Sequence, residues 1–269
     1  MISVMLLVLA MNAPTVHSAD GDTVHLFGKV MNTSDTTMSG DGSPFSTTGL
    51  KLFSPIDMWI NTVRNVMYVT EFNHHKVRAI PLDGTSPVFT LIGYSAPPQN
   101  GSTTGSFLTS LLLNPRFFSQ GKKTYPTLYV GDGNHRILEL ALETSQSSAF
   151  CGTGTDGSDF NVDRIAAKMG IAHQMFVQVS RMYFVENNGN LLKAWLFTGG
   201  FVIRVKKVNF DNATNVGKGL VMYRGDGYLT RLSSYCVFKF NAVSAAWIIF
   251  LGVLGVSLEF LGVEEWSGK

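Results

Sequence analysis

The sequence predicts an all-β chain built from a repeated unit of short strands. The chain of 269 residues is 45% hydrophobic, with 19 phenylalanines and with 27 glycines to serve tight turns. Charged residues make up 15%, well below the roughly 25% of an average soluble protein, which excludes disorder as the main state. Its apolar runs are short and bounded by turn residues, leaving no room for a long helix within a unit. One residue pattern then recurs three times, and a fourth time more faintly.

The first unit is Ser54-Pro55-Ile56-Asp57-Met58-Trp59-Ile60, then Asn65 to Glu71 with Tyr68-Val69, then Asn73-His74-His75-Lys76-Val77-Arg78-Ala79-Ile80. In the second, Asn114-Pro115-Arg116-Phe117-Phe118 is followed by Thr127-Leu128-Tyr129-Val130-Gly131-Asp132 and by Asn134-His135-Arg136-Ile137-Leu138-Glu139-Leu140. The third runs from Met169 to Ala172, through Arg181 to Glu186, to Asn188–Trp195. The fourth runs from Gly219 to Tyr223, through Gly227 to Thr230, to Tyr235–Phe240. The central tyrosines, Tyr68, Tyr129, Tyr183 and Tyr228, lie 61, 54 and 45 residues apart. These periods fall within or somewhat above the roughly 40–50 residues of a four-stranded propeller blade.

The connections repeat as well. Phe89–Gly93 and Ser148–Gly152 each close a unit with an apolar strand and a glycine, and each is followed by a polar, Gly-rich stretch. Val24–Gly28 carries the same closing signal ahead of the first unit, with Ser39–Ser43 as its linker. A chain that starts on a closing strand suits a ring in which that strand completes the last blade and removes an exposed edge.

These residues resemble the NHL-repeat β-propeller family. The marks are the proline before the first strand, Tyr-Val-x-Glu/Asp, Asn-His-Arg-Ile, and the apolar strand ending in glycine. The likeness is strong in the first two units and weaker in the next two. It implies NHL-type four-stranded blades over residues 20–240. Such propellers commonly close with six blades. Four units and one N-terminal strand are counted here, so the ring is incomplete, small, closed by the N-terminal strand, or supplied with strands by the C-terminal apolar segment.

The two ends carry their own signals. Met1–Met11 is an apolar run, and Val16 and Ser18 fill the small-residue positions before a cleavage after Ser18, which predicts a signal peptide over residues 1–18. The sequons at Asn32, Asn100 and Asn212 predict glycosylation in exposed loops. Together they predict an extracellular or cell-surface protein of the secretory pathway. Residues 242–263 form an apolar segment with Glu259 as its only charge, readable as a membrane helix or as last-blade strands. The helix reading would tether the protein to a membrane.

Glu71, Asn73, His74, Asp132, Asn134, His135 and Arg136 fall at the hairpin between the second and third strands of their units. Asp and Asn accept backbone N–H groups in tight turns, so a structural role is the first reading. The other reading makes His74, His75 and His135 ligands of a metal at the propeller axis. The residues establish neither a metal nor a cofactor, and they contain no nucleophile motif, phosphate loop or dinucleotide fingerprint. Cys151 and Cys236 fall in non-adjacent units and are expected as buried thiols rather than a disulfide.

A net charge of +2 excludes an electrostatic nucleic-acid binder, which needs a basic face. The resulting expectation is a non-enzymatic scaffold that binds a protein or glycan through its loop face. Pro97–Phe107 and Thr153–Arg164 are the candidate contact loops. The alternative is a metal-dependent lyase or hydrolase with its site at the axis.

Overall fold

The computed structural model describes residues 41–42, 44, 52–93, 103–116, 118–121, 127–178, 181–187, 190–195, 200–207, 220–224, 226–231, 236–241 and 247–251. The predicted leader, the strand Val24–Gly28, and Asn32, Asn100 and Asn212 lie outside these residues. No helix occurs among them.

The first sheet contains β1 (Pro55–Asn61), β2 (Val66–Glu71), β3 (Lys76–Pro81) and β4 (Phe89–Ile92), hydrogen-bonded in that order. The second holds β5 (Gly105–Ser106), β6 (Phe118–Gly121), β7 (Thr127–Asp132), β8 (Arg136–Ala141) and β9 (Gln146–Cys151), in the order β5-β9-β8-β7-β6. The third holds β10 (Val162–Asp163), β11 (Ala172–Gln178), β12 (Arg181–Glu186), β13 (Asn190–Trp195) and β14 (Phe201–Lys207), in the order β10-β14-β13-β12-β11. The fourth is β15 (Leu220–Tyr223), β16 (Asp226–Arg231), β17 (Cys236–Asn241) and β18 (Trp247–Leu251), again in sequence order. Every pairing is antiparallel. Each sheet thus contains a four-strand meander, the form of a propeller blade, and the second and third sheets add a two-residue strand, β5 or β10, beside the last strand.

The blades stand in a row with their first strands adjacent: β1 meets β6, β6 meets β11, and β11 meets β15. Alternation along each strand gives every blade a leading and a trailing face. Between the first two blades, Tyr68, Val77, Ala79 and Ile92 pack against Phe118, Leu128, Val130, Leu138 and Leu140. At the next seam, Tyr129, Ile137, Phe150 and Cys151 meet Met175, Val177, Met182 and Phe184. Blade-on-blade contact is therefore the hydrophobic core, which is why a chain of short strands can bury so much apolar surface.

Two devices protect strand edges. On the outside, the linker entering a blade pairs with that blade's own last strand. Gly105–Ser106 pairs with β9, Val162–Asp163 pairs with β14, and Pro44 bridges Pro87 while Gly42 N–H donates to the Val88 carbonyl. On the inside, side chains reach across seams. Asp57 Oδ2 accepts the Phe118 N–H at 2.9 Å, and Ser119 Oγ accepts the Val177 N–H at 2.9 Å.

Two expectations meet direct observations. Trp247–Leu251, within the apolar segment 242–263, is strand β18 paired with β17. The fourth blade thus takes its fourth strand from this segment. No helix among the described residues is long and apolar enough to cross a membrane. Cys151 is a buried free thiol, and burial pushes its pKa up.

Candidate functional site

At one end of each blade, three things converge: the entry to the first strand, the hairpin between the second and third strands, and the exit of the fourth strand. The repeated acid stands at their junction. Glu71, Asp132 and Glu186 each end a second strand, and each is fully buried. Glu71 Oε1 accepts the Phe53 N–H at 2.8 Å. Asp132 Oδ1 accepts the Leu113 N–H at 2.8 Å. Glu186 Oε1 accepts the Gly170 N–H at 2.9 Å. The residue after each acid donates its own N–H to the same entry segment, as Phe72 to Ser54, Gly133 to Leu113 and Asn187 to Ile171. A carboxylate is needed here because the entry loop has no strand partner for its amide, and a buried unpaired N–H is costly.

The remaining motif residues serve the same junction. Arg136 Nε lies 2.6 Å from Asp132 Oδ2, and its guanidinium also donates to the Leu111 carbonyl. Asn134 folds back on Asp132 through its amide N–H and Nδ2. Burial pushes the Asp132 carboxyl up, while Arg136 and the Leu113 amide oppose that shift. In the first blade, Asn73 Nδ2 donates to Ser54 Oγ at 2.7 Å. His74 is buried, stacked on Phe53 at 4.5 Å, with Nδ1 3.7 Å from Glu71 Oε1.

The closing glycines belong to the junction too. Gly93 and Gly152 both take φ +93. A Cβ on Gly93 would meet the His75 carbonyl oxygen and Lys76, and one on Gly152 would meet the His135 carbonyl oxygen and Arg136. Only glycine combines that φ with that approach.

The structure fixes a correspondence that sequence left open. His75 and His135 both end their hairpins at φ 55, so His75, rather than His74, is the counterpart of His135. Lys76 then matches Arg136. The histidines do not converge. His74 stacks inward, and His75 Nδ1 accepts the Asn114 N–H of the next blade at 3.1 Å. His135 Nδ1 lies 3.4 Å from Asp156 in the next linker. Among the described residues, no three His, Cys, Asp or Glu side chains gather as a metal-binding group.

Several charged residues at this end were not singled out from sequence. Arg78 is fully buried between Glu71 at 3.5 Å and Asp41 at 3.2 Å, with buried Lys76 beside it on the same face. Alternation of Lys76 and Arg78 with Val77 and Ala79 placed both on the face of Glu71, a signal that could have found them. Arg116 lies over the Phe72 ring at 4.7 Å, joining the entry of one blade to the hairpin of the one before. Burial lowers its pKa.

What remains outward at this end is a set of turn tips: Asn73, His75, Asn134 and His135. Beside them, Thr153–Asp156 presents exposed side chains. This arrangement can donate and accept hydrogen bonds and stack on flat groups, all from positions held by buried bonds beneath.

Comparison with known proteins adds the following. No family model matches the chain, and no curated protein matches it in sequence. Among solved structures it is similar to a structural genomics protein of unknown function from Bacteroides thetaiotaomicron. The identity is 18% and the TM-score 0.52, over 79% of this chain and 46% of that one. It is also similar to streptogramin B lyase, at 15% identity and TM-score 0.48 over 74% of this chain and 55% of that one. A chain of a nidogen/laminin complex matches at 13% and 0.41, over 72% of this chain and 78% of that one. The chain thus spans about half the length of the first of these structures, and that likeness bears on fold alone.

Proposed function

We propose that the protein is a non-enzymatic binding scaffold of NHL-type blades, acting outside the cell or at its surface. Its recognition face is the hairpin end of the blades, and its ligand is a protein or glycan. One observation carries this reading: all three repeated acids are buried and spent on holding entry loops, so the repeat motif serves to fix the exposed tips above it. Recognition by loops on a rigid frame follows from such a division of labour. Asn73, His75, Asn134, His135, Asp156 and the Phe72–Arg116 pair would supply the contacts. The leader over residues 1–18 and the sequons at Asn32, Asn100 and Asn212 support the location.

The test is binding of the purified, fluorescently labelled chain to arrayed glycans and to extracellular-matrix protein fractions. A combined Asn134→Ala, His135→Ala and Asp156→Ala variant should lose binding while keeping the near-ultraviolet circular dichroism of the folded chain. Binding that survives this variant and also a Phe72→Ala, Arg116→Ala variant refutes the placement of the recognition face.

A further inference from the structure

Among the described residues the first and fourth blades end the row, and their outer faces carry the two halves of one seam. Inside the row, each seam packs the trailing face of one blade on the leading face of the next. Phe118 and Met175 hold the same leading-face position, opposite Val130 and Phe184, and are 7% and 5% exposed. Met58, opposite Val69, holds that position in the first blade and is 39% exposed, beside exposed Ile56. The trailing faces show the converse. Tyr68, Tyr129 and Tyr183 are buried. Tyr228 of the fourth blade, in the matching position, is half-buried. On the same face Val221 is 46% and Tyr223 57% exposed. Lys239, also on this face, pairs with Asp226 at 2.8 Å and lies over the Tyr228 ring.

We propose that the trailing face of the fourth blade packs on the leading face of the first blade of a second copy of this chain, head to tail. The argument is continuity with the seams already formed: Tyr and Val on one side, Met and Ile on the other, in the register that buries them twice within the chain. A heterologous contact of this kind closes into a ring when its rotation allows. Two rows of four described blades give eight, inside the usual range of about four to eight for closed propellers.

The experiment is sedimentation equilibrium of the full chain over about a hundredfold range of concentration, since association obeys mass action. The expected result is a mass of twice 29.4 kDa. Met58→Glu and Tyr223→Glu should each weaken association at least about tenfold. Mixing the two variants should restore one sound contact of the two, and with it a dimer of intermediate affinity. If a charged variant loses its near-ultraviolet circular dichroism, Met58→Gln and Tyr223→Gln at these solvent-facing positions make the same comparison. Several results overturn the proposal: a full chain that stays monomeric, a response to only one of the two substitutions, or no recovery on mixing. A monomer whose Met58 and Tyr223 resist hydroxyl-radical labelling also overturns it, and would assign these faces to residues of the same chain.

Discussion

Asp132 offers the sharpest test of how the hairpin end is held. Its carboxylate serves the Leu113 N–H at 2.8 Å, Arg136 Nε at 2.6 Å and Asn134 at 3.3 Å. Asp132→Ala removes all of them and leaves a buried guanidinium without its counter-ion. Removing one partner of a buried ion pair costs about 3–5 kcal/mol. The orphaned Leu113 amide alone would cost about 1–3 kcal/mol, but the terms overlap, so the expected total stays at about 3–5 kcal/mol. At about 2–4 °C per kcal/mol for a chain of this size, the melting temperature should fall by about 6–20 °C. Asp132→Asn keeps an oxygen for the Leu113 amide and loses only the charge, so it should fall between. Adding Arg136→Met to Asp132→Ala should recover part of the loss, because the stranded charge goes with it. Circular-dichroism melting and urea titration read all three. A loss under about 1 kcal/mol, or no recovery with Arg136→Met, refutes the locking role.

Three further outcomes follow from the same geometry. Burial, with His74 alongside, holds the His75 imidazole below its usual value, while Asn114 and Asp132 oppose the shift. The unfolded chain therefore takes up this proton first as pH falls, and the stability His75 contributes is full above about pH 6.5 and lost below it. His75→Asn, which can accept the Asn114 amide without titrating, should flatten urea midpoints between about pH 7 and 5; an unchanged slope refutes this. Gly154 has φ +85 with its nearest neighbour at 3.6 Å, so Gly154→Ala should cost only the backbone strain of about 1–2 kcal/mol. Gly152→Ala adds a collision with the His135 backbone and should cost clearly more in the same melting assay; equal losses would refute the junction geometry. Ser119→Ala removes the acceptor of the Val177 N–H across a seam and should cost about 1–2 kcal/mol, whereas Ser119→Thr, which keeps the hydroxyl, should cost less.

The period, the strand-rich units and the turn motif were legible because each rests on local chemistry. Tyr-Val-x-Glu/Asp marks a strand whose tyrosine packs the seam and whose acid turns back to the entry loop, two positions of opposite facing three residues apart. The closing glycines were legible for the same reason. What escaped was set by distance along the chain. His75 and His74 are adjacent, and only the paired strands reveal which one matches His135. Arg164 reaches from the third blade's linker to lie over the Phe150 ring of the second at 4.5 Å, a contact no local pattern announces. The fourth unit read faintly because Arg231 stands where the other blades have Glu71, Asp132 and Glu186. The strands of this blade nonetheless pair in the same order.

That substitution separates two tasks the motif performs elsewhere together. Strand pairing and seam packing survive in the fourth blade, since Leu229 is buried and β15 meets β11. The locking carboxylate does not. Blade formation therefore depends on alternation and the seam, while the acid adds rigidity at one end. The hairpins of the first two blades keep the acid but differ in the outward residues above it: exposed Asn73 and half-buried His75 in one, half-buried Asn134 and His135 in the next. A buried acid held constant beneath outward residues that vary is the arrangement on which the proposed recognition face rests. It is also why the most recognisable residues of this sequence say least about a ligand: the repeated acids are buried and turned to the entry loops of their own blades.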